Sequence, residues 1–172
     1  MMTKTTRRLM VVGTAMFGAV VISQGTAAAQ TASDSLPVQA TVVANCNINA
    51  PTTLQFGNYD PAVAHAAANL DGATTIEVRC TKNSPNVWIG LDTGANASGS
   101  TRRMTDGTEF LTYEIYQDAA RTTVWGNVIA DGVSYTPTTS TWVDLDVYGR
   151  VPQAQDVGVG VYNDSVLATI NF

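Results

Sequence analysis

Apolar and polar residues alternate along several stretches of this chain, and this period of two limits the possible folds more than any other feature. Five stretches show it most clearly, at residues 76–80, 87–91, 111–115, 143–147 and 166–172. A strand with one buried face has this pattern, whereas a helix needs a period of 3.6. We therefore predict an all-β fold, an antiparallel sandwich that forms one domain.

Clusters of turn-forming residues separate these stretches. They are Asp71-Gly72, Asn83-Ser84-Pro85, residues 94–99, Asp106-Gly107 and Asp131-Gly132. Such clusters mark breaks and hairpins between strands. Residues 62–70 are rich in alanine and are predicted as either a short helix or a loop.

The first 29 residues have the three parts of a secretory signal peptide. Lys4, Arg7 and Arg8 form a basic start, residues 9–22 are apolar, and small residues precede Gln30. The apolar run is about 14 residues long, whereas a membrane-spanning helix needs about 20. We expect cleavage near Ala29 and export of the mature chain.

Charge and cysteine content narrow the class of protein further. Residues 30–172 contain six of the nine basic residues and all fourteen acidic ones, which gives a net charge of −8. This balance argues against binding to nucleic acid or to anionic lipid. Export would place Cys46 and Cys80 in an oxidising compartment, so we predict a disulfide between them. The alternative, a metal site, lacks other ligand residues nearby, and we predict no metal and no cofactor.

The sequence shows no constellation of catalytic residues, and we expect no enzyme. His65, in the irregular segment PAVAHAAAN, is interpreted as a surface-loop histidine. Neither a nucleophile elbow, nor HExxH, nor a phosphate-binding glycine loop occurs. Asp144 and Asp146 share one strand face, where they could bind calcium or act as a carboxylate pair, but a solvated strand face has the same pattern.

Five aromatic residues leave two interpretations open. They are Trp88, Trp125, Trp142, Tyr116 and Tyr148. Exposed aromatic side chains can bind sugars or partner proteins. The alternative, which we favour, is a second sheet face buried inside the sandwich.

The segment before Cys46 has the pattern of a half-buried strand. Leu36, Val38, Ala40 and Val42 alternate with Pro37, Gln39 and Thr41. Pro37 lacks an N–H and belongs near the start of a strand or at a sheet edge. This segment could be the first strand of its own sandwich or a strand that pairs with a neighbouring molecule.

Several segments, taken in order, resemble a known family. They are the alternating segment that leads into Cys46, FGNYDP (56–61), IEVRCT (76–81), VYGRVP (147–152) and GVGVYNDSVLATINF (158–172). Together they resemble the spore coat protein U domain, and more closely the major subunits of archaic, Csu-type chaperone–usher pili. The similarity covers nearly the whole mature chain.

The resemblance implies an incomplete immunoglobulin-like sandwich, antiparallel and of Greek-key topology, that lacks its final strand. Residues 45–172 would form the domain, and a groove would run along its C-terminal strand. The groove-facing residues of that strand would be Val166, Ala168, Ile170 and Phe172. Residues 30–44 would carry the donor strand, with Leu36, Val38, Ala40 and Val42 directed into the groove of another copy.

The same resemblance implies the partners and the function. A periplasmic chaperone would fill the groove first, and at the outer-membrane usher the donor strand of the next copy would replace it. The product would be a fibre of identical copies on the cell surface, a pilus that supports attachment and biofilm formation. The alternatives are a monomeric secreted module that binds carbohydrate or protein, and a component of a spore coat.

Overall fold

The computed structural model describes residues 28–172, so the predicted signal sequence lies outside the described residues except for its last two. Within the described residues the chain is all β and forms no helix. The strands are β1 (Cys46–Asn49), β2 (Leu70–Cys80), β3 (Trp88–Leu91), β4 (Arg102–Thr105), β5 (Phe110–Tyr116), β6 (Val133–Ser134), β7 (Val143–Val151) and β8 (Ala168–Asn171). This part of the chain therefore offers no helix with the length and hydropathy that crossing a membrane would require.

The chain divides into two units, residues 1–39 and 40–172, and the strands of the described residues all lie in the second. In this unit the strands form a five-stranded sheet in the order β1-β2-β7-β5-β4 and a three-stranded sheet in the order β6-β3-β8. All strand pairs are antiparallel. The two sheets enclose one apolar core, to which Val78 and Val147 contribute from the first sheet and Ile89 and Leu91 from the second. The predicted all-β antiparallel sandwich is confirmed.

The predicted turn at Asp71-Gly72 is wrong, because both residues lie inside β2. Asp71 faces Arg150 across the β2–β7 pair, and Gly72 faces Gly149. Arg150 Nε donates to Asp71 Oδ1 at 2.7 Å, and this hydrogen bond lowers the pKa of the carboxyl group. Asp71-Gly72 has the sequence of a turn, but the ion pair and the facing glycine stabilise it as part of a strand.

The alanine-rich segment forms a series of turns, which is the loop alternative. Asp60 caps the first turn by accepting the N–H groups of Ala62 and Val63. His65 Nδ1 accepts the N–H of Asp60 at 2.8 Å, and its ring stacks on Tyr59 at a centroid distance of 4.9 Å. His65 is half-buried, and its two contacts join it to the residues at the start of the loop.

The aromatic residues divide between the two interpretations. Trp125 is fully buried, and its indole N–H donates to the carbonyl of Ile89 at 2.9 Å. Trp88, Tyr116 and Tyr148 are half-buried. Trp142 is exposed and lies under the guanidinium group of Arg79.

Candidate functional site: an open groove between two sheet edges

Strands β1 and β8 are edge strands of the two different sheets, and they lie beside each other without pairing. Within the described residues, β1 pairs only with β2, and β8 only with β3. Ile170 of β8 packs against the cluster of Cys46, Cys80 and Val87. The space between the two strands is therefore narrow at this position, which we call the closed end.

The pairing of β8 leaves alternate backbone groups without a partner in the sheet. Asp92 N–H donates to the carbonyl of Leu167 at 3.0 Å, in the register that continues into β3 and β8. In an antiparallel pair, every second residue bonds to the partner strand and the others point away from it. The backbone groups of Ala168 and Ile170 consequently point towards the space beside β1.

The opposite edge has the same arrangement. Thr81 N–H donates to the carbonyl of Asn45 at 2.9 Å, in register with the β1–β2 pair. By the same alternation, the backbone groups of Cys46 and Ile48 point away from β2, towards β8. Two facing rows of unpaired backbone groups form a template for an added strand.

Away from the closed end, the space between the edges widens into an open cleft of about 270 Å³. Its floor consists of core residues of both sheets. The floor residues are Ile76, Leu91, Tyr113, Ile115 and Val147. One wall contains Leu54 and Phe56, and the other contains Val166 and Ala168. We call this position the open end, and the space from the closed end to the open end the groove.

The wall of Leu54 and Phe56 lies where two paired glycines leave room for it. A Cβ atom at Gly149 would lie 2.7 Å from Leu54 Cδ2 and 2.7 Å from Phe56 Cζ. A Cβ atom at Gly72 would lie 2.9 Å from the carbonyl oxygen of Gln55. Residues 54–56 therefore pack directly on the backbone of β2 and β7. These residues are irregular, so their sequence shows no alternation of apolar and polar residues. Phe56 is nevertheless the first residue of the segment FGNYDP.

The other wall is fixed by hydrogen bonds at the open end. Tyr113 donates its hydroxyl to Asp164 Oδ2 at 2.6 Å, and burial together with this carboxylate raises the pKa of Tyr113. Asp164 Oδ1 also accepts the N–H of Asn96 at 3.0 Å. Asn163 and Thr105 exchange backbone hydrogen bonds of 2.9 Å. These contacts place Val166 over the cleft before β8 begins.

The structure separates the four residues predicted to face the groove. Val166 and Ala168 line the cleft, and Ile170 lies at the closed end. Phe172 follows β8 and is exposed. The paired strand is thus shorter than the predicted stretch 166–172.

The four residues predicted to form the donor strand lie outside the strands of this chain. Residues 28–45 form no strand, and the side chains of Leu36, Val38 and Val42 are 85%, 87% and 82% exposed. Ala40 is exposed as well. An apolar, alternating and solvent-exposed segment therefore directly precedes β1.

Cys46 and Cys80 form a disulfide that joins β1 to β2 at the closed end. Asp144 and Asp146 are exposed on the outer face of β7. Among the described residues, no three His, Cys, Asp or Glu side chains come together as a metal site would require.

Comparison with known proteins places the chain in a family. Residues 31–169 match the model of the Spore Coat Protein U domain. The chain is 39% identical over 159 residues to Protein U of Myxococcus xanthus, covering 85% of this chain and 88% of that protein.

Among solved structures, a similar chain occurs in the crystal structure of the CsuC–CsuE chaperone–tip adhesion subunit pre-assembly complex from the archaic chaperone–usher Csu pili of Acinetobacter baumannii. The TM-score is 0.54 and the sequence identity 22%, over 77% of this chain and 41% of that chain, so the likeness concerns the fold. The extent of the family match, supported by the similarity to Protein U, shows that the chain belongs to the spore coat protein U domain family.

Proposed function

We propose that this chain is a non-catalytic structural subunit of a chaperone–usher pilus and that its copies polymerise by donor-strand exchange. The observation that carries the proposal is the groove: two unpaired strand edges enclose an apolar cleft, and the same chain has an exposed apolar strand sequence. Strand addition of this kind uses main-chain hydrogen bonds for affinity and pockets for alternate side chains for specificity.

The donor residues have the chemistry that the groove requires. Leu36, Val38, Ala40 and Val42 would face the apolar floor, while the backbone would bond to the edges of β1 and β8. Full burial of a Leu or Val side chain contributes roughly 1.5–3 kcal/mol. Three such side chains, together with the backbone pairing, support a slowly dissociating contact. Pro37 lies near the start of the stretch and removes only one hydrogen-bond donor.

The groove favours one direction for the donor strand. At the closed end, residues 43–45 of the groove's own chain occupy the exit, since Thr81 Oγ1 donates to the carbonyl of Val43 at 3.1 Å. The sandwich of the copy that supplies the donor strand therefore fits only at the open end of the groove. A strand that runs from the closed end to the open end would be antiparallel to β8 and parallel to β1, so its direction is set by the free space at the open end and not by the type of pairing.

The same geometry favours exchange between molecules. In this direction Val43 would lie at the open end, whereas Cys46 of its own chain lies at the closed end. Eight strand residues span roughly 26 Å. Ala44 and Asn45 span about 7 Å. Residues 36–43, which we call the donor stretch, are therefore too close to β1 in sequence to fill the groove of their own chain.

The proposed partners follow from this exchange. An unfilled apolar edge invites aggregation. A periplasmic chaperone would cover the groove after export, and the outer-membrane usher would be the place where the donor strand of the next copy replaces it. Structural likeness to a chain of the CsuC–CsuE chaperone–subunit complex supports a chaperone partner. The resulting fibre would lie outside the cell and support attachment and biofilm formation.

Deletion of residues 30–44 tests the proposal in cells that carry the cognate chaperone and usher. We expect the shortened chain to reach the periplasm and bind the chaperone, but to form no fibres visible by electron microscopy. Val38→Asp should have the same effect, because its carboxylate would enter the apolar groove. Gln39→Asp is the matched control on the other strand face and should still form fibres. Normal fibres from the deletion variant would refute the donor role.

A further inference from the structure

Only Ala44 and Asn45 separate the donor stretch from β1 of its own sandwich. Two extended residues span roughly 7 Å. When the stretch of one copy fills the groove of another, as in the function proposed above, the two sandwiches must therefore touch where Val43 leaves the groove. That place is the open end, beside Tyr162 and Asp164.

An exposed apolar segment lies at this position. Residues 159–161, which we call the valine strip, directly precede Tyr162, a residue of the cleft. Val159 is fully exposed, and Val161 is 77% exposed. Exposed apolar residues that adjoin an interface are candidates for contact with a partner.

The valine strip contacts the β4–β5 turn through its flanking residues. Tyr162 donates its hydroxyl to the carbonyl of Gly158 at 3.1 Å. A Cβ atom at Gly158 would lie 2.9 Å from Glu109 Oε2, and one at Gly160 would lie 2.9 Å from Asp106 Oδ2. The glycines therefore let the strip lie flat on the β4–β5 turn, with its two valines directed to solvent.

Two carboxylates border the strip, those of Asp106 and Glu109. Asp106 Oδ1 accepts the N–H groups of Glu109 and Thr108 at 2.8 Å each. These bonds, that of Glu109 first, lower the pKa of the Asp106 carboxyl group, and a carboxylate with no such shift is already ionised at neutral pH. The open end thus presents an apolar strip with an acidic border.

The other end of the sandwich has the complementary character. Near Cys46, Trp142 is 42% exposed, and the guanidinium carbon of Arg79 lies 4.7 Å from its ring centroid. Lys82 follows Cys80 by two residues and is exposed. We call the surface of Arg79, Lys82 and Trp142 the basic end. It belongs to the part of the sandwich that the short spacer would bring to the open end of a neighbour.

We propose that the valine strip of one copy binds the basic end of the next copy, which forms a second, head-to-tail contact beside the donor strand. Such a heterologous contact repeats along an open fibre. It would restrict rotation about Ala44 and Asn45, so that the fibre is stiff where a two-residue joint alone would be flexible. This inference rests on the proposed donor-strand exchange.

The test compares fibres of the double variant Val159→Asp, Val161→Asp with fibres of Ile129→Asp. Ile129 is 69% exposed and lies before β6, at the edge of the three-stranded sheet opposite β8. We expect the persistence length of the fibres in electron micrographs to fall by about half or more in the double variant and to stay unchanged in the control, since a few residues carry most of the energy of a protein contact and a carboxylate at either valine would be buried without a partner. Trp142→Ala should soften the fibres as well, and its combination with the double variant should add little.

A second measurement separates this inference from the proposed function. A labelled peptide of residues 34–45 should bind the double variant and the unsubstituted chain with equal affinity by fluorescence anisotropy, because the groove is intact. Equal persistence lengths in the double variant and the control would overturn the head-to-tail contact, with the donor role retained. A peptide that fails to bind the unsubstituted chain would overturn the donor role itself.

Discussion

At the scale of single residues, Arg102 is the side chain whose position the sequence least suggests. It is only 3% exposed, although it is charged. Its guanidinium group donates to the carbonyls of Leu91, Asp92 and Trp125 at 2.7–2.9 Å and pairs with Glu114. One buried cation thus joins β3, β4 and β5 and the loop of Trp125 behind the cleft. The positive charge of Arg102 is stable in the interior because each of its partners is a carbonyl or carboxylate acceptor.

Replacement of Arg102 by Met should be severely destabilising. The methionine would keep much of the volume but leave several carbonyls and the Glu114 carboxylate without their donor. Removal of one partner from a buried pair costs roughly 3–5 kcal/mol. Urea unfolding followed by tryptophan fluorescence would measure the loss. Arg103→Met is the matched control, because Arg103 lies on the outer face over the ring of Phe110, where such a contact contributes about 0.5–1 kcal/mol. Equal losses in the two variants would contradict the role of Arg102.

At the scale of elements, the irregular segment of residues 50–56 matters to the groove as much as the strands do. It supplies a whole wall of the cleft and depends on the close approach that Gly72 permits. The glycine is the third residue of an eleven-residue strand, where it has no role in a turn. Its lack of a side chain is therefore a property of the groove.

Substitution of Gly72 by Ala should displace this wall. The added Cβ would lie 2.9 Å from a backbone carbonyl oxygen, which cannot rotate away as a side chain could. Overpacking of this kind typically costs about 1–3 kcal/mol. We expect the peptide of residues 34–45 to bind less tightly in fluorescence anisotropy, because the wall of Leu54 and Phe56 would shift. The control is Ala73→Ser, on the exposed face of the same strand, which should bind the peptide as the unsubstituted chain does.

The elements also show what the sequence could and could not predict. Alternation identified β2, β3, β5, β7 and β8 because each buries one face against the other sheet. It missed β1, β4 and β6, which have only two to four residues and are too short to show a period. The Asp71-Gly72 dipeptide misled because its strand partners, Arg150 and Gly149, are distant in sequence. One side of the groove was predictable from Val166 and Ala168, whereas the opposite wall has no repeating pattern.

At the scale of the whole molecule, the proposed exchange would make the groove and the donor stretch two halves of one strand pairing. The groove has a direction, since Ile170 and the disulfide narrow one end and the cleft opens at the other. β8 runs towards the closed end, so Phe172 follows the strand at that end. A strand that continued from Phe172 through a tight turn would enter the groove in the direction proposed for the donor of a neighbour.

This geometry predicts the behaviour of a self-complemented chain. Residues 36–43 would be deleted from their own place and attached after Phe172 through an Asn-Gly turn, which suits a two-residue hairpin. We expect a soluble monomer by size-exclusion chromatography that needs no chaperone and forms no fibres. Its melting temperature should exceed that of the chain that lacks residues 36–43, because the added strand covers the apolar floor.

Matched substitutions within the added strand determine whether the gain comes from the groove. Val38→Asp, which directs a carboxylate to the apolar floor, should remove most of the increase in melting temperature, since an unpaired charge is expensive to bury. Gln39→Asp, one position further along and on the opposite strand face, should retain most of it. The period of two that is visible in the sequence would then reappear as an alternation in measured stability. Equal effects of the two substitutions would mean that the attached residues do not enter the groove as a strand.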